Sequence, residues 1–240
     1  MKDCFFITPP GMKITLVYVF PLNGKNNFAP YAHEFVLSYQ RHPPGHEHDT
    51  LVVCNGEPAT DTSKALFNPL PNVSFIDHDN SGWDIGAFQL AARNSTSDMM
   101  LFCGSYTYFR KAGWLLRMRE VFEQFGNALY GSTGNQGDQR FGVYPHVRTT
   151  GFWCDPKLLA SYPMKVTQAG AGGERYKMEH GQDCFTGWVV RLGKQALIVG
   201  WDCVHEVTSC NSIPNGYHQG NQENLLVGDR LTAPPYYHAP

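Results

Sequence analysis

Charge is scarce in this 240-residue chain. Asp, Glu, Lys and Arg together make up 17%, and the formal net charge is only −2. There is no basic excess to hold a polyphosphate backbone, so nucleic acid is not an expected partner. No run of about 18 apolar residues occurs, so no transmembrane helix is expected. No Cys-x-x-Cys pair occurs, and the seven cysteines stand at wide spacings. That pattern argues against a structural zinc site and against a disulfide framework. Cys54 and Cys103 each close an apolar run and are expected to be buried free thiols of a reduced compartment. Residues Met1 to Met12 carry Asp3 and break at Pro9-Pro10, unlike a secretory signal, so a cytoplasmic location is expected. Four common signatures are also missing: the P-loop, a Gly-x-Gly-x-x-Gly after the first strand, the Gly-x-Ser-x-Gly elbow and His-Glu-x-x-His. No internal repeat is visible.

What is present is apolar and ordered. Hydrophobic residues make up 42% and aromatics 13%, enough for a sizeable core at this length. Strand-length apolar runs at Lys13–Phe20, Thr50–Cys54, Val73–Ile76 and Met99–Cys103 alternate with helix-like segments at Ala29–Tyr39, Asp61–Phe67 and Lys111–Phe125. A further helix follows Ser81. The uncharged strands and the alternating order predict an α/β fold, a mostly parallel central sheet with helices on both faces. The second half is less regular. Strands are expected at Asn127–Tyr130, Val147–Trp153 and Gln195–Gly200, and helices at Pro156–Tyr162 and Asp183–Leu192. Thr167–Arg175 is Gly-rich and is expected to be a loop. No linker splits the chain, so one domain over residues 1–240 is expected.

A doubly wound sheet binds ligands beyond the carboxyl ends of its strands, which directs attention to the residues just after each run. Asn55 and Glu57 could hydrogen-bond a base or ribose, although Asn55-Gly56 also suits a plain turn. The densest cluster is Asp77-His78-Asp79-Asn80-Ser81-Gly82-Trp83-Asp84. Three carboxylates at a strand-to-helix junction suit Mg²⁺ or Mn²⁺, which prefer oxygen ligands and bridge to phosphate. Ser81 and Asp84 also fit a Ser-x-x-Asp capping box. A second carboxylate region, Glu179-His180-Gly181-Gln182-Asp183, places Asp183 at an expected helix start. There it could take a proton from an acceptor hydroxyl or simply complement the helix dipole. His205, after the last strand, could be a metal ligand or a polar loop residue.

Taken together, roughly residues 13 to 205 resemble the GT-A glycosyltransferases, transferases that use nucleotide-diphospho-sugar donors. The resemblance rests on the strand ending in Pro21, on Thr50–Glu57 (TLVVCNGE), on Asn80-Ser81-Gly82 followed by Ala87, and on Gln182-Asp183 followed by Trp188, Arg191 and Gly193. It implies a nucleotide-sugar-binding half at 13–125, an acceptor and catalytic half at 126–205, and a tail at 206–240. It also implies a UDP-, GDP- or dTDP-linked donor, a glycan or glycoconjugate acceptor and transfer of a hexosyl or deoxyhexosyl group. Pro21, Asn55, Glu57, Asn80, Gly82, Asp84 and Ser105 would line the donor, and Asp183 would be the base of an inverting reaction; a retaining one stays open. The family's Asp-x-Asp after the fourth strand is replaced here by Cys103-Gly104-Ser105. The expected Mn²⁺ or Mg²⁺ is therefore assigned to Asp77 and Asp79, with His205; a different strand register and a metal-independent enzyme stay open. Two alternatives stand beside this reading. One is a nucleotidyltransferase, for which Lys25 is the sole basic residue near the first strand. The other is a non-catalytic carbohydrate-binding domain, which the tryptophans and tyrosines would suit. Tyr217, Tyr236 and Tyr237 are expected to pack on the domain.

Overall fold

The first strand, β1 (Ile14–Leu22), is buried on both sides. Side chains alternate across a strand, so Ile14, Leu16, Tyr18 and Phe20 enter one core cluster while Val17 and Val19 enter another. A computed structural model describes residues 11–24, 26–138, 142–167, 173–210 and 222–229. Lys25, the glycine-rich 168–172 and Tyr217, Tyr236 and Tyr237 lie outside the described residues.

β1 forms the middle of a parallel set with β2 (Asp49–Gly56), β3 (Val73–His78) and β4 (Met99–Cys103), in spatial order β4-β1-β2-β3. The chain winds outward from β1 to β3 and then returns to the other side of β1. That reversal opens a crevice beyond the carboxyl ends of β1 and β4. Next to β4 lies antiparallel β9 (Phe152–Cys154), then β6 (Leu129–Gly131), then β10 (Ala196–Val199), parallel to β6. Antiparallel β11 (Val204–Glu206) forms the far edge of the eight-stranded sheet.

Helices cover both faces. α1 (Ala29–Arg41) and α4 (Trp114–Phe125) bury Phe35, Val36, Trp114, Met118 and Val121 on one face. α3 (Trp83–Arg93), α5 (Pro156–Ala160) and α7 (Phe185–Arg191) bury Ile85, Phe88, Leu158, Leu159 and Val189 on the other. α2 (Asp61–Ala65) and α6 (Glu174–Glu179) are short. Phe88, Phe102 and Phe152 pack ring against ring at centroid distances of 5.4, 5.6 and 4.7 Å. Each buried ring of this size contributes about 1.5–3 kcal/mol through burial alone.

Two local expectations are corrected. Val147–Trp153 is not one strand. Val147 ends β8 (Gly142–Val147), which pairs in a hairpin with β7 (Gly134–Asp138), and the chain turns at Gly151 before β9 begins. Gly151 has φ +66°, and a Cβ there would meet Val227 Cγ2 at 2.2 Å; glycine lets the turn form against its neighbour. Ser81 does not cap α3. The cap is Gly82 at φ 72°, and the Ser81 N–H donates to Asp79 Oδ1 at 2.9 Å instead. β12 (Val227–Gly228) pairs antiparallel with β5 (Tyr108–Phe109), and Leu225 bridges to Gly200.

Candidate active site

A cavity of about 520 Å³ lies in the crevice at the ends of β1, β2 and β4. Pro21, Asn55, Asn80, Asp84 and Ser105 line it, five of the residues expected to hold a donor. Each is fixed by local structure. Asn55 is buried at the end of β2, and its Oδ1 lies 2.7 Å from His78 Nδ1, which sets the plane of its amide. Burial lowers the His78 pKa, so its ring stays neutral in this role. The Tyr18 hydroxyl donates to the Ser105 carbonyl at 2.8 Å and pins the turn after β4. Asp84 sits in the first turn of α3, freed from capping by the chain path through Gly82. A Cβ on Gly82 would come 2.3 Å from the Val166 carbonyl oxygen.

The other wall comes from the second half of the chain. Arg148 and Thr149 stand in the turn between β8 and β9, Arg175 and Glu179 on α6, and Asp229 beyond β12. Arg175 Nε lies 3.4 Å from both Asp84 Oδ1 and Glu179 Oε2, an ion triad that joins α3 to α6. The Thr149 hydroxyl donates to Glu179 Oε1 at 2.5 Å. Arg148 Nη2 meets Asp229 Oδ2 at 3.1 Å, with the Asp229 side chain only 6% exposed. Burial raises the Asp84 pKa, Arg175 opposes that and Glu179 adds to it. His146 is buried in the same wall, and its Nδ1–H donates to the Tyr144 carbonyl at 2.9 Å. Burial pushes its pKa down to about 4, and His180, 4.9 Å away between ring centroids, pushes the same way.

Trp83 stands at the rim, 50% exposed, with the Arg175 guanidinium 5.2 Å from its ring centroid. Its φ is +55°, beside Asn80 at +64°. A left-handed backbone at a bulky residue costs on the order of 1–3 kcal/mol and is concentrated at functional sites.

Several expected residues stand elsewhere. Glu57 is exposed beside Gly24 and does not line the cavity, and Gly82 acts through its backbone. Asp183 precedes α7, which starts at Phe185 with Cys184 as its cap. Its side chain is 90% exposed and pairs with Arg191 at 3.3 Å, away from the cavity. The expected metal set is not brought together. Asp77 is on β3 and His205 on β11, the opposite edges of the sheet. Asp79 is exposed, and hydrogen bonds from Ser81 lower its pKa. Among the described residues no three His, Cys, Asp or Glu side chains converge as a metal site. The described residues therefore do not assemble the expected site for a resident divalent cation. The cavity carboxylates face guanidinium groups instead.

No family model and no curated sequence matches the chain. Solved structures do. A mannosyltransferase from Pyrobaculum calidifontis, solved with GDP-Man and Mn²⁺, superimposes with a TM-score of 0.53 at 12% identity, over 77% of this chain and 54% of that one. Mouse xyloside xylosyltransferase 1 gives 0.53 at 11% identity, over 78% and 85%. A putative glucose-1-phosphate thymidylyltransferase from Bacillus anthracis gives 0.51 at 11%, over 75% and 84%. The chain thus spans about half the length of the mannosyltransferase and most of the other two. Two of the three are glycosyltransferases, and this chain has the GT-A fold of the nucleotide-diphospho-sugar transferases.

Proposed function

We propose that the chain is a glycosyltransferase that moves a sugar from a nucleotide-diphospho-sugar to a glycan hydroxyl. One observation carries this reading. The cavity at the topological switch point joins a neutral, amide-bearing wall at β1, β2 and β4 to a wall of carboxylates and guanidinium groups. Asn55 and Pro21 would face the nucleoside, and Asn80, Asp84 and Ser105 the ribose and sugar. A UDP-, GDP- or dTDP-linked hexose or deoxyhexose suits such a site. The reaction needs a base for the acceptor hydroxyl and positive charge for the leaving diphosphate.

Glu179 is the better base. It belongs to the carboxylate region expected from the sequence, four residues before Asp183, but it lines the cavity whereas Asp183 does not. A carboxylate has about four lone-pair sites. Thr149 and Arg175 hold its two oxygens in place, leaving acceptor capacity for the substrate proton. In an inverting displacement Glu179 takes the proton as the hydroxyl oxygen attacks the anomeric carbon, and the nucleoside diphosphate leaves on the opposite face. Trp83 offers an exposed ring at the rim on which an acceptor pyranose can stack.

The thymidylyltransferase neighbour keeps a second reading in view, and the product separates the two. The chain should be incubated with UDP-, GDP- and dTDP-sugars and an oligosaccharide panel. Release of a nucleoside diphosphate is the expected result. Pyrophosphate release from a nucleoside triphosphate would establish a nucleotidyltransferase, and glycan binding with no turnover a carbohydrate-binding domain.

A further inference from the structure

Building on the glycosyltransferase reading, we infer that the charge of the donor's diphosphate is met by Arg175, with Arg148 beside it, and that this chain needs no divalent cation for that task. The place where the fold ordinarily presents carboxylates, just after β4, carries Gly104 and Ser105. The carboxylate nearest to it is Asp84, whose Oδ2 would lie 4.0 Å from a Cβ built on Gly104. Asp84 already faces the Arg175 guanidinium, as does Glu179. The third cavity carboxylate, Asp229, is taken by Arg148. Each of the three cavity carboxylates thus already has a guanidinium within 3.4 Å of one of its oxygens, so the charge that would attract a divalent cation is largely offset.

Arg175 suits the duty physically. Its Nε is buried between the two carboxylates, close enough for charge attraction, yet makes no hydrogen bond to either. A guanidinium carries five donors in a planar fork that matches phosphate oxygens. The guanidinium lies 5.2 Å from the ring centroid of Trp83.

Calorimetric titration with inorganic pyrophosphate, UDP and GDP tests this, with EDTA or with Mn²⁺, on the wild-type chain and on Arg175→Gln. Wild-type affinity should agree within about twofold between EDTA and Mn²⁺. Arg175→Gln should weaken binding about tenfold or more under both conditions, as expected for losing a charge-assisted hydrogen bond. Arg175→Lys keeps the charge that Asp84 and Glu179 balance, so it should fold, while its point charge in place of the planar fork should give an affinity between those of the wild type and Arg175→Gln. An affinity at least tenfold higher in Mn²⁺ would overturn the inference, as would unchanged binding in Arg175→Gln or failure of all three ligands to bind in EDTA. Pyrophosphate binding without any nucleoside diphosphate binding would keep the inference and remove the glycosyltransferase reading instead.

Discussion

At the scale of single residues, the site works through side chains whose partners come from distant parts of the chain. Asp229 and Arg148 are 81 residues apart and form a pair that solvent barely reaches. Removing one member of such a pair strands the other charge, so Asp229→Ala should cost about 3 kcal/mol or more of stability. Chemical denaturation would show it, and a loss below about 1 kcal/mol would mean the pair is effectively solvated. His146 makes a prediction in pH. Its folded-state pKa is near 4, below its ordinary value near 6.5. Above about pH 6.5 the ring is neutral in both states and contributes no pH dependence. Between about 6.5 and 4 the unfolded chain takes up a proton that the folded chain refuses, so stability falls with falling pH, by about 3 kcal/mol in full. The melting midpoint of His146→Asn should lack this part of the acid sensitivity, and an unchanged acid limb would show the imidazole is not held neutral.

Not all of these residues could be found by spacing. Asn55 ends β2, Asn80 and Asp84 come between β3 and the first turn of α3, and Ser105 comes just after β4, so the strand-end rule of the parallel set reached them. Arg148 and Asp229 follow short strands outside that set and Arg175 stands on α6, and they share no short motif because turns and a returning tail deliver them. Asp183 and Glu179 show the limit most clearly. Both sit in one acidic segment, and only the end of α6 at Glu179 and the start of α7 at Phe185 decide which one faces the cavity. The metal assignment failed to assemble for a similar reason. Asp77 and His205 follow apolar strands that look alike in sequence, yet sheet order sends them to opposite edges.

At the scale of elements, the segment from β3 into α3 is where local geometry and function meet. The four apolar runs of the first half were legible because buried parallel strands are continuous and uncharged. The entry to α3 was not, since Ser-x-x-Asp fits a capping box equally well. The structure instead uses Gly82 in the left-handed region to bring Trp83 and Asp84 to the cavity. Gly82→Ala introduces both an unfavourable φ and a clash with the Val166 carbonyl. It should destabilise the chain by about 1–3 kcal/mol and weaken nucleotide binding, whereas a silent Gly82→Ala would mean that the turn is pliable. Trp83→Ala should raise the acceptor KM about tenfold, in line with the loss of an aromatic stacking partner, and leave the donor KM near its original value. A change confined to the donor would move Trp83 to the nucleotide side.

At the scale of the whole molecule, a sheet with two buried faces holds two half-sites from different parts of the chain. In the proposed reaction the strand ends of the first half would receive the nucleotide, and the second half, with the segment that returns to β5, would supply the acid–base and cationic groups. Their junction is the Asp84–Arg175–Glu179 triad. The central claim is that this junction transfers sugar with Glu179 as the base. The most direct test is the rate of nucleoside diphosphate release from a nucleotide sugar in the presence of acceptor. It should be measured for the wild type, Glu179→Gln and Asp183→Asn, with donor binding determined alongside. Glu179→Gln should lose about 100-fold or more in rate with donor affinity nearly intact, while Asp183→Asn stays within about threefold of the wild type. Full activity in Glu179→Gln, or its loss in Asp183→Asn alone, would contradict the account.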